Sequence, residues 1–364
     1  MILLYFNILI LLIILIVTYL NLLLPISISN NGRKTDKTPF ISILIPARNE
    51  EKNISRILDS LINQTYQNFE LIILNDNSTD KTREIAESYL STINNFNIID
   101  GKPLPENWLG KNWACHQLSE IAKGELLLFI DSDVTLSRDA IQNSINTFYH
   151  YKLNALSVFP SQIFHSFGEK LIVPLMNWIL LSFLPLFLVH RSKNQSFVAA
   201  NGQFILIDNE VYQNIGGHNR IKDNQVEDME LARILKKMNF KIGTFLGGNH
   251  IFCRMYDGFK SSINGFSKNF YPGFKINPAI FILSIGLISF TLIYPFVGIF
   301  FNILYIVPIF FIIINRAGLS LISKQSVLVN LILHIPQFIM FFLLSLISVY
   351  KTKFKKNVWK DRQI

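Results

Sequence analysis

Hydrophobic and polar positions divide the chain into a mixed central part and two apolar ends. Met1 to Leu24 carries no charged residue and is long enough to span a bilayer. This segment has no cleavage site of small residues, so we expect a retained anchor rather than a signal peptide. Further uncharged runs cover residues 278–315, enough for two closely spaced helices, and residues 327–350. The predicted parts are an anchor (1–24), a globular domain (38–275), a C-terminal transmembrane region (278–350) and a basic tail (351–364).

Within the central domain, short apolar runs alternate with segments of helical periodicity. Ile54, Ile57, Leu58 and Leu61 share one face of a predicted helix. Uncharged strands separated by helices, with polar residues at the carboxyl ends of the strands, are typical of a doubly wound parallel sheet. We therefore predict an α/β domain with a mostly parallel sheet. The predicted strands are Ile41–Ile45, Phe69–Leu74, Asn97–Ile99, Glu125–Ile130 and Ala155–Val158.

Acidic residues follow three of these strands, where an open α/β sheet presents its ligand crevice. Glu50 follows the first strand, Asp76 the second, and Asp131 and Asp133 the fourth. Alternate side chains of an extended backbone point to the same face, so Asp131 and Asp133 can hold a divalent cation, a ribose hydroxyl, or both. The sequence has neither Gly-x-Gly-x-x-Gly after the first strand nor Gly-Lys-Ser/Thr. A nucleotide bound here would need another counter-charge, which a metal on the aspartate pair would supply.

An apolar stretch over residues 171–189 holds Pro174 and Pro185 and is nearly long enough to cross a membrane. A crossing there would place Asp133 and the residues after the stretch on opposite sides of the membrane. We therefore expect a helix that lies in the membrane interface. Such a helix beside the active site would suit a lipid acceptor.

Two predicted helix starts carry polar residues. Asp228 begins one helix, where a carboxylate either stabilises the helix dipole or acts in chemistry. Ser78 or Thr79 can cap the helix that is expected to run to about Leu90. His218 has no partner at a characteristic spacing and is expected to be structural.

The composition narrows the function classes. Hydrophobic residues make up 50% of the chain and charged residues 16%, which is too apolar for an ordinary soluble enzyme. The net charge of +9 does not indicate nucleic-acid binding, because basic residues such as Lys34 and Lys351 flank apolar segments. The two cysteines, Cys115 and Cys253, show no metal-ligand spacing. We expect a membrane-integrated protein whose domain faces the reducing cytosol.

The order and spacing of five motifs resemble the inverting GT-A glycosyltransferases of family 2. The resemblance implies a GT-A fold and a nucleotide-sugar donor, with Pro46, Arg48 and Glu50 on the donor side. It implies that Asp76 contacts the nucleotide base, Asp131 the sugar nucleotide, and Asp133 a Mg²⁺ or Mn²⁺ ion. It further implies that Asp228 is the general base, which must lie near the acceptor for in-line displacement. The motifs are Pro46-Ala-Arg-Asn-Glu50, Asp76, Asp131-Ser-Asp133, Gly216-Gly217 and Glu227-Asp228.

Three further segments resemble membrane-anchored members of this family that glycosylate carotenoids such as diaponeurosporenoate. Hopanoid-associated members share some of these features. The resemblance implies that Lys111 contacts the diphosphate, with a flexible loop residue as the alternative. Processive synthases carry Gln-x-x-Arg-Trp where this chain has Gly265-Phe-Ser-Lys268-Asn, so polymer synthesis is not expected. The segments are Trp108–His116, Arg254–Ser261 and Val358–Gln363, and the residues expected on the acceptor or diphosphate side are Glu227, Arg254, Lys268, Trp359 and Arg362.

These patterns predict a metal-dependent glycosyltransferase that moves one sugar, expected to be glucose from UDP-glucose, to a membrane-embedded carotenoid carboxylate or hydroxyl. The alternatives are a glycolipid, hopanoid or polysaccharide glycosyltransferase, and a membrane scaffold without catalysis. We expect a multi-pass protein of the cell membrane with its catalytic domain on the cytoplasmic side. The positive-inside rule favours two C-terminal crossings and one interfacial or re-entrant segment, which returns the basic tail to the cytosol.

Overall fold

The computed structural model describes residues 1–24, 26–28, 34–354, 358–359 and 362–363. Its strands are β1 (Ile41–Ala47), β2 (Phe69–Asn75), β3 (Phe96–Asp100), β4 (Leu126–Ile130), β5 (Val134–Leu136), β6 (Ala155–Phe159), β7 (Ser161–Gln162), β8 (Phe204–Asp208), β9 (Ile242–Leu246), β10 (Ile251–Cys253), β11 (Val358–Trp359) and β12 (Arg362–Gln363).

The α-helices of the first part are α1 (Ile2–Leu23), α2 (Ile54–Ile62), α3 (Thr82–Glu87), α4 (Gly110–Ile121), α5 (Ala140–His150), α6 (Phe167–Ile172), α7 (Pro174–Phe183) and α8 (Phe187–Arg191). Those of the second part are α9 (Asn209–Asn214), α10 (Glu227–Lys237), α11 (Phe259–Phe274), α12 (Pro278–Ile293), α13 (Pro295–Gly298), α14 (Ile306–Ile322), α15 (Val327–Ile332) and α16 (His334–Lys353). Two 3₁₀ turns cover Gly217–Ile221 and Ile303–Tyr305.

A seven-stranded sheet in the order β3-β2-β1-β4-β8-β6-β9 forms the centre of the domain. All its neighbouring strands are parallel except β8, which runs antiparallel to both β4 and β6. A small sheet in the order β5-β10-β7 lies beyond the end of β4. The predicted α/β class with a mostly parallel sheet is confirmed, and each predicted strand is present within two residues of its expected ends.

Alternation along the strands fills a core on each face of the sheet. Ile41, Ile43 and Ile45 of β1 belong to a cluster with α2 and α5, whereas Leu44 belongs to a second cluster with α4 and α10. Both clusters are fully enclosed, which explains why the strands carry almost no charge. The resulting three layers, helices on both faces of one sheet, leave the carboxyl edge of the sheet open for a site.

Within the described ranges, four segments are long and apolar enough to cross a membrane: Ile2–Leu23, Pro278–Gly298, Ile303–Ile322 and His334–Lys353. The N-terminal and C-terminal apolar helices are therefore present as predicted. The second C-terminal helix ends at Ile322 and not at Asn315, because the helix continues through Arg316, a charge that ended the uncharged run in the sequence. The predicted third segment is broken near Leu333, after which α16 begins.

The stretch 171–189 is not one helix, because both of its prolines lie at breaks. Pro174 begins α7, and Pro185 lies between α7 and α8. Trp178 of α7 is 1% exposed and donates from Nε1 to Asn315 Oδ1 at 3.2 Å, so α7 packs against the apolar helix α14. The placement of this stretch in a membrane interface stays a prediction.

Candidate active site

The loops after β1 and β2 are joined to each other at the carboxyl edge of the sheet. Asn49 and Asn77 both have φ of 51°, a backbone conformation that asparagine adopts more readily than most residues. Thr79 N donates to Asn49 Oδ1 at 2.9 Å, and Asn49 N donates to Ser78 Oγ at 3.1 Å. Ser78 and Thr79 thus join two loops and do not cap α3, whose first residue, Thr82, is bound instead by Asp80.

These joined loops place the predicted donor residues along one edge. Arg48 Nη1 donates to the carbonyl oxygen of Asp76 at 2.7 Å. Asp76 is 5% exposed, and its N–H donates to Ala47 O at 2.8 Å. Glu50 Oε2 accepts from Asn53 at 2.7 Å. Arg48, Glu50 and Asp76 therefore lie together at the ends of β1 and β2, as the sequence predicted.

Lys111, in the first turn of α4, connects the end of β4 to the start of α10. Its Nζ lies 2.9 Å from Asp131 Oδ1 and 3.0 Å from Glu227 Oε1. These side chains are 14–27% exposed, so the two ion pairs lie in a partly enclosed cleft. Burial alone would lower the pKa of Lys111, but the two carboxylates hold that pKa well above its usual value. Lys111 is an ordered cation of the site and not a flexible loop residue.

Gly202, just before β8, touches three of the charged residues. Its N–H donates to Asp228 Oδ2 at 2.9 Å, and its carbonyl oxygen lies 3.4 Å from Lys111 Nζ. A Cβ at this position would lie 3.0 Å from Glu227 Oε1 and 3.1 Å from Lys111 Nζ. These contacts are closer than almost all real Cβ contacts. Any other residue at position 202 would therefore require Glu227 and Lys111 to move by a few tenths of an ångström.

Asp228 lies at the start of α10, and backbone amides hold both of its carboxylate oxygens. Met229 N donates to Oδ1 at 2.7 Å, in addition to the Gly202 N–H on Oδ2. Burial nevertheless raises the pKa of Asp228 to about 7, and the adjacent Glu227 carboxylate adds to the rise. A carboxyl group with a pKa near neutrality can accept or release a proton under working conditions, as a general base requires.

Gln203, which precedes β8, and Cys253 of β10 lie beside Asp133. Gln203 Nε2 lies 3.5 Å from both Asp133 oxygens and donates to Cys253 Sγ at 2.8 Å. Burial raises the pKa of Asp133 to about 7, with the Asp131 and Glu50 carboxylates adding to the rise. This accumulation of negative charge is what a bound cation would relieve.

The donor set fits a cation that is shared with a substrate. Within the described residues no group of three or more His, Cys, Asp and Glu side chains could hold a metal ion by itself. Mg²⁺ commonly uses one or two carboxylates and completes its shell with waters and substrate phosphates. Asp133 and Asp131 can supply that minimum, so the site suits a Mg²⁺ or Mn²⁺ ion that a diphosphate helps to bind.

A cavity of about 10 Å³, roughly the volume of one water molecule, lies where these charges meet. Its apolar walls explain the raised pKa values, because they withhold water from the carboxylates. His218 lies in the wall, and burial lowers its pKa to about 4, so its imidazole is neutral at pH 7. Tyr212 Oη lies 2.7 Å from His218 Nδ1. The lining residues are Pro46, Lys111, Cys115, Phe129, Asp131, Gly202, Ile205, His218, Glu227, Asp228 and Leu231.

Arg254 and Lys268 approach the cleft from the C-terminal side of the domain. Arg254 follows β10, its N–H donates to Asp133 O at 3.4 Å, and its guanidinium lies 3.2 Å from Asp257. Lys268 of α11 is half-buried and interacts electrostatically with Glu227, although its partial burial lowers its pKa overall. Trp359 and Arg362 lie in the paired strands β11 and β12, and the described part of the chain does not include their side chains.

Sequence analysis did not identify the residues that hold the acidic side chains in place. These residues lie far along the chain from β4. They are the turn Asn201-Gly202-Gln203, which precedes β8, and the buried Cys253 of β10. The Asn-Gly pair before an apolar run marked a turn, but nothing in the sequence indicated that this turn meets β4. That contact depends on the antiparallel pairing of β8 with β4.

Comparisons with known proteins agree with this geometry. Residues 42–216 match the family model described as "Glycosyl transferase family 2". The 4,4'-diaponeurosporenoate glycosyltransferases of Staphylococcus aureus strains USA300 and bovine RF122 / ET3-1 are each 32% identical over 242 residues. Each match covers 64% of this chain and 61% of the relative, less than two thirds of the relative's length.

One solved structure is similar over nearly the whole chain. The mannosyltransferase PcManGT from Pyrobaculum calidifontis, in complex with GDP-Man and Mn²⁺, superposes with a TM-score of 0.60 and 14% identity. The match covers 95% of both chains. At this level of identity the likeness concerns the fold, including the apolar helices at both ends.

Proposed function

We propose that the chain is a family 2 glycosyltransferase that transfers a single glucose from UDP-glucose, with inversion, to a carotenoid carboxylate in the membrane. The observation that carries the proposal is the convergence of Asp131, Asp133 and Asp228 in one cleft beside Lys111. The identity to carotenoid glycosyltransferases supports the acceptor class.

The donor would lie along the ends of β1, β2 and β4. Asp76, Arg48 and Glu50 would contact the nucleoside, and Asp131 the sugar-nucleotide side. A Mg²⁺ or Mn²⁺ ion held by Asp133 would neutralise the leaving diphosphate as its charge develops. Lys111 would supply a second positive charge beside the diphosphate, since it keeps its proton next to the Asp131 and Glu227 carboxylates.

The acceptor would approach near Asp228, on the face of the sugar opposite the diphosphate, because in-line displacement inverts the anomeric carbon. A hydroxyl acceptor must lose a proton, which Asp228 would accept. A carboxylate acceptor is already ionised near neutral pH and needs no base. With a carboxylate acceptor we therefore expect Asp228→Asn to retain measurable turnover while still binding donor. Complete loss of turnover with donor binding intact would exclude a carboxylate acceptor.

The proposal is tested with membranes that contain the full chain, radiolabelled UDP-glucose, Mn²⁺ or Mg²⁺, and an extract of carotenoid carboxylates. We expect label in an organic-soluble pigment, and we expect Asp133→Ala to abolish this transfer. Asp139→Ala is the matched control, since it removes an aspartate from outside the cleft. Label in a glycolipid or hopanoid only would replace the carotenoid with one of the alternative acceptors, and the absence of donor binding would favour a scaffold.

A further inference from the structure

The apolar helix α14 carries a buried arginine that the sugar-transfer site does not use. Arg316 is 2% exposed, although it lies in a segment apolar enough to cross a membrane. Its Nη2 donates to Asn330 O at 3.1 Å and to Gln337 Oε1, and its Nε is buried without a hydrogen-bond partner. The guanidinium carbon lies 5.6 Å from the centre of the Phe338 ring.

Among the residues that the structure describes, no carboxylate forms an ion pair with Arg316. Residues 278–354 contain neither aspartate nor glutamate, and none of the ion pairs among the described residues includes Arg316. Glu169 of α6, the helix that carries Lys170, already accepts from Ser166 Oγ at 2.7 Å and from His165 N at 2.8 Å. An unbalanced charge in an apolar bundle is costly, and such residues usually mark a functional site.

The neighbouring amides form a fixed frame around Arg316. Asn330 Nδ2 donates to Ser320 Oγ at 2.9 Å, and Gln337 Nε2 donates to Lys170 O at 2.8 Å. Lys170 belongs to α6 of the catalytic domain, so the frame lies where the helix bundle meets that domain. Arg316 lies six residues before the end of α14, or about 9 Å along the helix axis.

An apolar groove of about 240 Å³ lies beside this frame, between α12 and α16. Phe338 lines the groove and also packs against the Arg316 guanidinium. Ser289 Oγ, also in the groove lining, is buried without a partner. The lining of the groove does not include Arg316, and Phe338 is the residue that connects the two.

We propose that Arg316 and this groove bind an anionic phospholipid, with the phosphate on the guanidinium and an acyl chain between α12 and α16. Guanidinium groups match the geometry of phosphate oxygens, and basic pockets between membrane helices bind anionic headgroups. Lys170 of α6, whose carbonyl oxygen accepts from Gln337 Nε2, adds positive charge near the headgroup. This site is separate from the sugar-transfer reaction and does not depend on the acceptor.

The test is thermal unfolding of the purified full chain in neutral detergent micelles, titrated with phosphatidylglycerol or with phosphatidylcholine of the same acyl chains. A ligand that binds only the folded state raises the unfolding temperature with concentration. We expect phosphatidylglycerol to do so, and Arg316→Met to weaken its apparent affinity about fivefold or more. Lys324→Met, which removes one charge next to the same helix, should retain the response. In phosphatidylcholine, Arg316→Met should be no less stable than wild type, because an unbalanced buried charge is removed.

A second variant keeps the test decisive if Arg316→Met does not fold. Gly286→Leu narrows the groove, since even a Cβ there would lie 3.2 Å from the Phe342 ring, and it should weaken the phosphatidylglycerol response with Arg316 intact. An unchanged phosphatidylglycerol response in both variants would overturn the proposal. So would an equal response to inorganic phosphate alone, or a response to oleate and not to phosphatidylglycerol.

Discussion

The absence of a side chain at residue 202 leaves room for the present positions of Lys111 Nζ and Glu227 Oε1. We expect Gly202→Ala to reduce kcat/KM for sugar transfer by about tenfold to a hundredfold, because the new Cβ would displace the Lys111–Glu227 ion pair by a few tenths of an ångström or more. Steady-state kinetics with UDP-glucose measure this loss.

The unfolding temperature of the same variant separates misplacement from misfolding. Residue 202 lies at the partly open cleft and not in the core, so we expect stability to fall by about 1–2 kcal/mol at most. Wild-type kcat/KM in Gly202→Ala would contradict the role assigned to this close contact.

Asp228 also makes stability depend on pH. Burial raises its pKa in the folded protein to about 7, whereas an exposed aspartate has a pKa of about 4. Between these values the folded state holds a proton that the unfolded chain has released, so stability falls as pH rises through this window. The substitution Asp228→Asn removes this pH-dependent contribution to stability.

We therefore expect the unfolding temperature of Asp228→Asn, relative to wild type, to rise between about pH 5 and pH 8. Thermal unfolding in detergent across this range measures the difference. A difference that stays constant with pH would show that the pKa of Asp228 is not raised.

The sequence predicted the positions of the acidic residues but not the residues that contact them. Asp131 and Asp133 follow directly from a buried strand and the two-residue alternation of side chains. Gln203 and Cys253 lie 70 or more residues further along, and their contacts depend on strand pairing that a single sequence does not encode locally. Lys111 was expected to contact a ligand, and its pairing with Glu227 was not foreseen.

At the scale of elements, α11 connects the cleft to the apolar helices. Lys268, in its middle, lies near the carboxylates of the site. On the C-terminal side, Tyr271 N donates to Ser348 Oγ of α16 at 2.9 Å, and Lys351 Nζ donates to Ser267 Oγ at 3.1 Å. The position of α11 is therefore coupled both to the site and to the membrane helices.

Gly265 fixes α11 against the loop that follows β10. A Cβ at Gly265 would lie 2.1 Å from Tyr256 Cε1, so Gly265→Ala must push α11 or Tyr256 away. We expect a loss of about 1–3 kcal/mol in stability and a larger loss of transfer activity, because Lys268 moves with the helix.

Gly273→Ala is the matched control, since nothing lies within 4 Å of a Cβ at that position in the same helix. Alanine has the higher helix propensity, so we expect unchanged or slightly higher stability and unchanged activity. Activity lost equally in both variants would show that α11 tolerates no substitution and that the Tyr256 contact is not the cause.

Elements with strong periodicity were predicted well, and their ends were not. Uncharged runs identified the strands because both faces of the sheet are covered by helices. The cap at Ser78 or Thr79 was wrong because these residues bind Asn49 in the neighbouring loop. The helix α14 extends past Asn315, where the uncharged run ends, because a helix can carry one arginine, here Arg316, when amide neighbours surround it.

At the scale of the whole molecule, the contacts of the apolar helices indicate how the chain crosses the membrane. Met1 Sδ lies 3.9 Å from Asn302, and Asn315 donates to Thr18 at 2.7 Å, so α1 and α14 run in the same direction. The segment after α1 pairs with β9, which places the C-terminal ends of both helices toward the domain. The helix α12 leads away from the domain, and α14 returns.

The last apolar helix contacts the domain near both of its ends. Gln337 binds Lys170 O of α6, and Lys351 binds Ser267 of α11. Two C-terminal crossings, with α16 as the interfacial segment, stay a prediction. We predict that a reporter fused after Ile364 lies on the same side of the membrane as one inserted in the catalytic domain. Reporters on opposite sides would contradict this topology.

The most direct test of the central claim is the configuration of the sugar in the product. Purified chain, incubated with α-linked UDP-glucose, divalent cation and the carotenoid carboxylate, should form a β-linked glucosyl ester, which nuclear magnetic resonance of the anomeric proton identifies. This result is expected because the acceptor and the leaving diphosphate lie on opposite faces of the sugar in the proposed cleft. An α-linked product would contradict the account.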